Sequence, residues 1–398
     1  MKKTLVALAA LASMSAFAQS SVSITGVLDL GAQHIDYKGK TITNAGAANG
    51  STTSNIVIGG VEDIGGGLTG AFRWEIDPDL ANTVAKTAGT SATGTTSNVS
   101  GFLSNGYSFL GLKSATAGEV QFGTLNYATL YANGDGNSGF GTAIGSGYRV
   151  TSFDAVRGQN GASYETPSFM GLNAKVIAIT KNTQQSGSPA LGSGVNQQNG
   201  RDGAQEISLA YANGPLTARY AQLTTTQNAG TADGTATGIT AGNGNEFKLK
   251  TLSAKYAVNS AATVGVFHQT TSSAPITVGS TSAANKVYTV TYDRSATGVS
   301  GSFAVTPVVT LMANYQKIKV GSAEFSANAA NVAGAATVNG ASTTVVGLGA
   351  DYALSKRTVA YFRTERDKDD ANIRAVTGYG TNAAGTYKAT AVGIRHAF

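Results

Sequence analysis

Leu68-Thr69-Gly70-Ala71-Phe72-Arg73-Trp74-Glu75-Ile76-Asp77 is a ten-residue stretch with two unlike sides. Leu68, Gly70, Phe72, Trp74 and Ile76 fall on one side, and Thr69, Ala71, Arg73, Glu75 and Asp77 on the other. A period of two is that of a strand, not a helix. A soluble sheet buries its apolar side in a core, and its other side faces water. Here one side is bulky and apolar while the other carries three charges, and the same contrast recurs down the chain. Val22, Ile24, Leu28 and Leu30 oppose Ser23, Thr25, Asp29 and Gln33; Ile207, Leu209 and Tyr211 alternate with Glu206, Ser208 and Ala210. Leu216, Ala218 and Tyr220 alternate with Thr217, Arg219 and Ala221.

The connections come in two sizes. Short ones carry turn chemistry, as in Asp63-Ile64-Gly65-Gly66-Gly67, Asn213-Gly214-Pro215, Thr306-Pro307 and Ser355-Lys356-Arg357. Long ones, at 38–52, 78–101, 126–156, 181–203, 225–245, 271–285, 320–341 and 367–386, are rich in Gly, Ser, Thr, Ala and Asn. The two sizes alternate, as in an up-and-down antiparallel barrel with tight turns at one rim and loops at the other. The count is about 16 strands, an even number. They begin near 22, 53, 68, 103, 118, 158, 172, 204, 216, 246, 262, 287, 308, 342, 358 and 387. The second strand and the stretch 286–304 are the least regular, and 246–256 slips phase in the manner of a bulge.

The inward faces carry too few large apolar residues to fill a core. Apolar outside and polar inside fits a transmembrane β-barrel around a wet lumen, closed so that no strand edge is left unpaired in hydrocarbon. Composition agrees: 51 Gly, no Cys and 13% charged residues. A chain without Cys has no disulfide framework.

The first residues, Met1-Lys2-Lys3-Thr4 through Ala16-Phe17-Ala18, read as a secretory signal peptide with a cut after Ala18. The expected organisation is residues 1–18 as signal and 19–398 as one barrel. Removing Lys2 and Lys3 leaves a smaller positive charge than the +6 of the full chain. In Ala391-Val392-Gly393-Ile394-Arg395-His396-Ala397-Phe398 the chain stops in mid-strand. That is expected if the last strand pairs with the first, with Phe398 at the membrane interface completing closure and assembly.

Several blocks carry a resemblance: Gly26–Gly31, Val61–Glu75, Tyr164–Ala174, Tyr352–Phe362 and Val392–Phe398. Together, and in this order, the chain resembles the Gram-negative general porins, trimeric 16-stranded outer-membrane channels, in their beta-proteobacterial branch. The resemblance implies a homotrimer in the outer membrane of a Gram-negative bacterium, in contact with lipid and lipopolysaccharide, passing ions and small hydrophilic solutes. It also implies a third outer loop, here about 126–156, folded into the bore, and a loop at 78–101 that reaches over a neighbouring subunit.

The pore constriction is expected to hold Arg73, Arg149 and Arg157 on its basic side, opposed by Asp135 and Glu75. The resemblance places Asp135 on the loop and the Arg residues on the wall. Strand parity alone places Arg73 inward, where it either sets the field of the pore or is simply neutralised by Glu75 two residues on. Asp135 is alternatively only a turn residue. Asp29, Lys175, Arg219 and Arg363 are expected to line the lumen. Relatives usually carry Arg at positions that match Asn55, Gly59, Gly106 and Thr124 here; these are neutral, so the expected anion preference is weak. A substrate-specific channel and a barrel acting mainly as adhesin or structural protein are the alternative readings.

Catalysis is not expected. His34, His268 and His396 stand apart, with no Gly-x-Ser-x-Gly, His-Glu-x-x-His or phosphate-loop element. No cofactor or metal is implied, and the dispersed basic residues give no basis for nucleic-acid binding.

Overall fold

The computed structural model describes residues 21–37, 40–48, 50–78, 106–141, 143–147, 157–180, 201–227, 245–273, 276–278, 288–327, 336–339, 342–369 and 385–398. The signal segment 1–18, most of loop 78–101 and Arg149 lie outside them.

Sixteen strands form the wall. In chain order the first half comprises β1 (Ser21–Tyr37), β3 (Asn55–Gly65), β4 (Leu68–Ile76), β5 (Ser108–Ser114), β6 (Gly118–Asn126), β7 (Arg157–Glu165), β8 (Leu172–Ile179) and β9 (Arg201–Asn213). The second half comprises β10 (Leu216–Gln227), β11 (Asn245–Ala257), β12 (Ala262–Ser273), β14 (Tyr288–Ala304), β15 (Val309–Ala327), β17 (Ser342–Ala353), β18 (Thr358–Asp369) and β19 (Gly385–Ala397). Each pairs antiparallel with its neighbour, and β19 returns to β1. Three short strands, β2 (Lys40–Ala48), β13 (Ile276–Val278) and β16 (Ala336–Asn339), extend β1, β14 and β15 on the long-loop side without adding to the ring. Helix α1 (Ala128–Gly136) follows β6.

Alternation sets which face meets lipid. Phe72, Trp74, Leu110, Phe122, Leu209, Val266, Leu311, Phe362 and Ile394 are exposed on the outer surface. Glu75, Gln121, Ser163, Glu206, Thr251, Gln269, Asn314 and Glu365 are buried on the inner one. Hydrocarbon offers no hydrogen bonds, so only a closed ladder satisfies the backbone there. Closure is completed by Gly26 N donating to Phe398 O at 3.1 Å and Phe398 N to Gly26 O at 3.0 Å.

The tight turns are built from side chains that accept backbone N–H groups two or three residues on. Asn259 Oδ1 accepts from Ala261 and Ala262, both at 2.8 Å. Ser355 Oγ accepts from Arg357 at 3.1 Å and Thr358 at 3.0 Å.

The expected bulge at 246–256 is absent. β11 keeps unbroken register with both β10 and β12. The phase slip arises because Leu249 points inward, where it is buried with Leu125, Tyr127, Ile177 and Leu223 beneath the chain leading into α1. Within the stretch 286–304, the described residues Tyr288–Ala304 form one 17-residue strand, β14.

Candidate functional site: the bore and the segment folded across it

Residues 127–141 and 143–147 lie inside the barrel. They leave β6 and cross to the inner faces of β9 to β18. Tyr127, at the N-cap of α1, offers no side-chain cap. The wall supplies one: Glu206 of β9 accepts Thr129 N at 3.1 Å and also accepts Ala128 N. A carboxylate here satisfies two orphan donors and sits at the positive end of the helix dipole. Thr129 Oγ1 meets Thr251 Oγ1 at 2.7 Å. At the other end of α1, Ser300 Oγ donates to Gly136 O and accepts Ser138 N, each at 2.7 Å. Farther on, Glu365 accepts Gly145 N at 2.9 Å and Gly147 N at 3.0 Å, and Asn314 Nδ2 donates to Gly145 O at 2.9 Å.

The wall makes room for this backbone. A Cβ on Gly265 would stand 2.8 Å from both Asp135 O and Gly136 O, and one on Gly347 would collide with the Gly145 backbone. Gly145 and Gly147 have φ of +100° and +66°, which L side chains rarely adopt.

Most of the expected site residues face the bore; the pairing of Arg73 with Glu75 is the one the sequence had offered, and the other partners were not foreseen. Arg73 is one-third exposed and donates through Nε to Glu75 Oε2 at 3.1 Å, while Glu75 is nearly covered. The Arg73 guanidinium lies 5.5 Å from the Tyr107 ring centroid, and Tyr107 N donates to Glu75 Oε1 at 3.2 Å. Arg157 pairs with Asp77 at 3.2 Å. Asp135 sits on α1, but its carboxylate turns to the wall behind it. It meets Lys255 at 2.9 Å and Arg219 at 3.4 Å rather than opposing Arg73 and Arg157. Lys175 stands 3.7 Å from Glu165.

Two of the expected lumen-lining residues do not meet water. Asp29 and Arg363 face inward, yet both are fully buried. Residues 51–54 fold over Asp29, and Phe140 of the inner segment lies 5.8 Å from the Arg363 guanidinium. Arg363 pairs with Asp351 at 2.8 Å. Glu206, Lys255, Ser300 and Glu365 were not singled out from sequence. Their only signal is inward parity, which dozens of residues share.

A closed barrel with an apolar belt, a charged interior and a chain segment laid across its bore is a membrane channel. Comparison with known proteins identifies the class more narrowly. The family model described as Gram-negative porin matches residues 4–372. An outer membrane porin protein of Bordetella pertussis is 29% identical over 282 residues, covering 65% of this chain and 69% of that protein. Outer membrane porin protein 32 of Delftia acidovorans is 33% identical over 187 residues, covering 44% and 48%. Among solved structures, an anion-selective porin from Comamonas acidovorans aligns with a TM-score of 0.66 at 22% identity, covering 96% of this chain and 100% of that one. The chain belongs to the Gram-negative porins, and its place is the outer membrane.

Proposed function

We propose that the chain, exported and freed of residues 1–18, works as a homotrimer that lets ions and small hydrophilic solutes diffuse down their own gradients, with a mild preference for anions. The observation that carries the preference is the pairing of charges around α1. Arg73 has Glu75, Arg157 has Asp77 and Lys175 has Glu165, but Asp135 is shared by Arg219 and Lys255. A solute in a narrow pore gives up part of its bulk water, and fixed charges replace it. The fifth carboxylate beside α1, Glu206, is buried and given to the Ala128 and Thr129 N–H groups, so one carboxylate divided between two cations leaves a modest positive surplus on the surface that meets solute. The Comamonas acidovorans porin of similar fold is anion-selective; for this chain the reading rests on its own charges. Trimeric assembly is supported by the resemblance to trimeric porins in the sequence blocks quoted above. Lipid at the apolar belt and lipopolysaccharide at the long-loop rim are its expected surroundings.

The test is the reversal potential of purified protein in a planar bilayer under a KCl gradient. Conductance in steps of three with a potential favouring chloride is the expected result. A potential favouring potassium would overturn the charge assignment, and silence from folded protein would overturn the channel.

A further inference from the structure

The outer surface of the barrel changes character toward the long-loop ends of β15 to β19. Lys317 and Lys319 of β15, Arg366 and Lys368 of β18 and Lys388 of β19 are all exposed there. Alternation turns them outward, because Gln316, Ile318, Asp367 and Ala389 beside them are buried.

Strand register draws the five together. Lys317 lies opposite Thr344 of β17 and Thr344 opposite Lys368, so these two cations share one row. One outward position nearer the apolar belt, Val346 lies opposite Arg366 and Arg366 opposite Lys388. Like charges directly opposite on one face of a sheet repel. None of the five side chains has an ion-pair or hydrogen-bond partner among the described residues. Asp36 of β1, opposite Lys388, makes no ion pair with it. By contrast Arg73, Lys113, Arg157 and Lys175, the basic residues of β3 to β8, each have a carboxylate partner.

This cationic patch borders the apolar belt. Val346, Leu348, Phe362 and Val392 are exposed on the same outer face of the same strands. Apolar surface on one side and unmatched cations on the other fit an acidic lipid, with its acyl chains on the belt and its headgroup on the patch. The cations form two groups, Lys317 with Lys319, and Arg366 with Lys368 and Lys388. Their strands are two steps apart, about 10 Å at the usual strand spacing. A single phosphate fills one group and leaves the other unmatched.

We infer that the outer face of β15 to β19 is a binding site for a bisphosphorylated, multiply acylated lipid of the outer leaflet, with one phosphate on each cation group. The Arg366 guanidinium offers a phosphate two parallel N–H donors, and the lysines add point charges. This rests on the outer-membrane reading above and gives the lipopolysaccharide expected at the long-loop rim a defined seat.

The experiment adds bisphosphorylated lipid A to the purified protein, freed of native lipid in detergent, and counts bound lipid per barrel by native mass spectrometry. One retained lipid A per barrel is expected, with the monophosphorylated form at least about tenfold weaker, the usual cost of losing a charged hydrogen bond. Lys317→Ser with Lys319→Ser, and Arg366→Ser with Lys388→Ser, should each weaken binding by about tenfold or more. Both double variants should keep the wild-type KCl conductance, since none of these residues faces the bore; that conductance also reports that they fold. Equal affinity for the monophosphorylated form would overturn the two-phosphate site, whatever the variants do. Wild-type affinity in both double variants would overturn its place on the barrel. Cardiolipin held as tightly as lipid A would overturn the outer-leaflet lipid as its occupant. Protein that binds lipid A as expected but conducts no KCl would overturn the diffusion channel and leave this site standing.

Discussion

The Asp29 carboxylate of β1 accepts the Tyr361 hydroxyl of β18 at 2.6 Å, reaching past β19, which lies between those two strands. Its other oxygen accepts Ser51 N at 2.8 Å and Thr52 N at 2.7 Å. Arg395 and Arg363 reach the Ser51 hydroxyl at 3.0 and 3.4 Å, and both face Asp351. Barrel closure is thus fixed twice, once by the β1–β19 ladder and once by a buried network that pins residues 51–54 against the seam.

Asp29→Ala should loosen that segment. It leaves three buried donors without their acceptor, each costing about 1–3 kcal/mol. Faster amide hydrogen exchange at residues 50–54 and a lower unfolding midpoint in detergent are expected. Tyr361→Phe removes one donor and leaves the two backbone bonds, so its effect should be near 1 kcal/mol. Unchanged protection of 50–54 in Asp29→Ala would mean that the carboxylate is not what holds the segment.

Gly347→Val should push the inner segment off its wall, because Gly145 backbone occupies the space a side chain would need. The segment can yield only toward the side of the bore that carries Arg73 and Arg157. Lower single-channel conductance is the expected outcome, with the barrel itself still folded. Wild-type conductance would show that the segment adjusts without entering the passage.

Arg73→Ser and Asp135→Asn should move the reversal potential in opposite directions. The first leaves Glu75 without its nearest cation and shifts preference toward potassium. The second frees the charge of Arg219 and Lys255 and shifts it toward chloride. An unmoved potential in Arg73→Ser would reduce that residue to a structural partner of Glu75.

The wall was readable from sequence because alternation is a local property. The expected starts at 68, 118, 172, 216, 262, 342 and 358 coincide with the observed strands. Inward parity likewise placed Arg73, Glu75, Lys175 and Arg219. The cross-bore contacts were not readable. Glu206 is 77 residues from Thr129 and Glu365 is 220 from Gly145, and neither end carries a local pattern that names the other. The same blindness produced the false bulge. An inward Leu249 looks like broken phase until Tyr127 is seen packed against it. Burial of Asp29 and Arg363 escaped for that reason too, since parity tells which way a side chain points and not what covers it.

Acidification should strengthen anion preference earlier than exposed carboxylates would allow, through Asp77, the first residue beyond β4. Burial raises its carboxyl above the ordinary aspartate value; Arg157 pulls the other way and the neighbouring Glu75 raises it further. A folded-state value raised in this way means that the protonated form is favoured on folding. The ionised form therefore costs stability at neutral pH, and that cost fades as pH falls through the raised value. Protonation also removes the negative charge beside Arg157, 3.2 Å away, and leaves that cation to act on passing chloride. The chloride-to-potassium ratio of wild type should then climb with falling pH, beginning above the range of exposed aspartates. Asp77→Asn should already show the higher ratio at neutral pH and lose that early step. Identical pH profiles for the two proteins would place the acid response elsewhere in the bore.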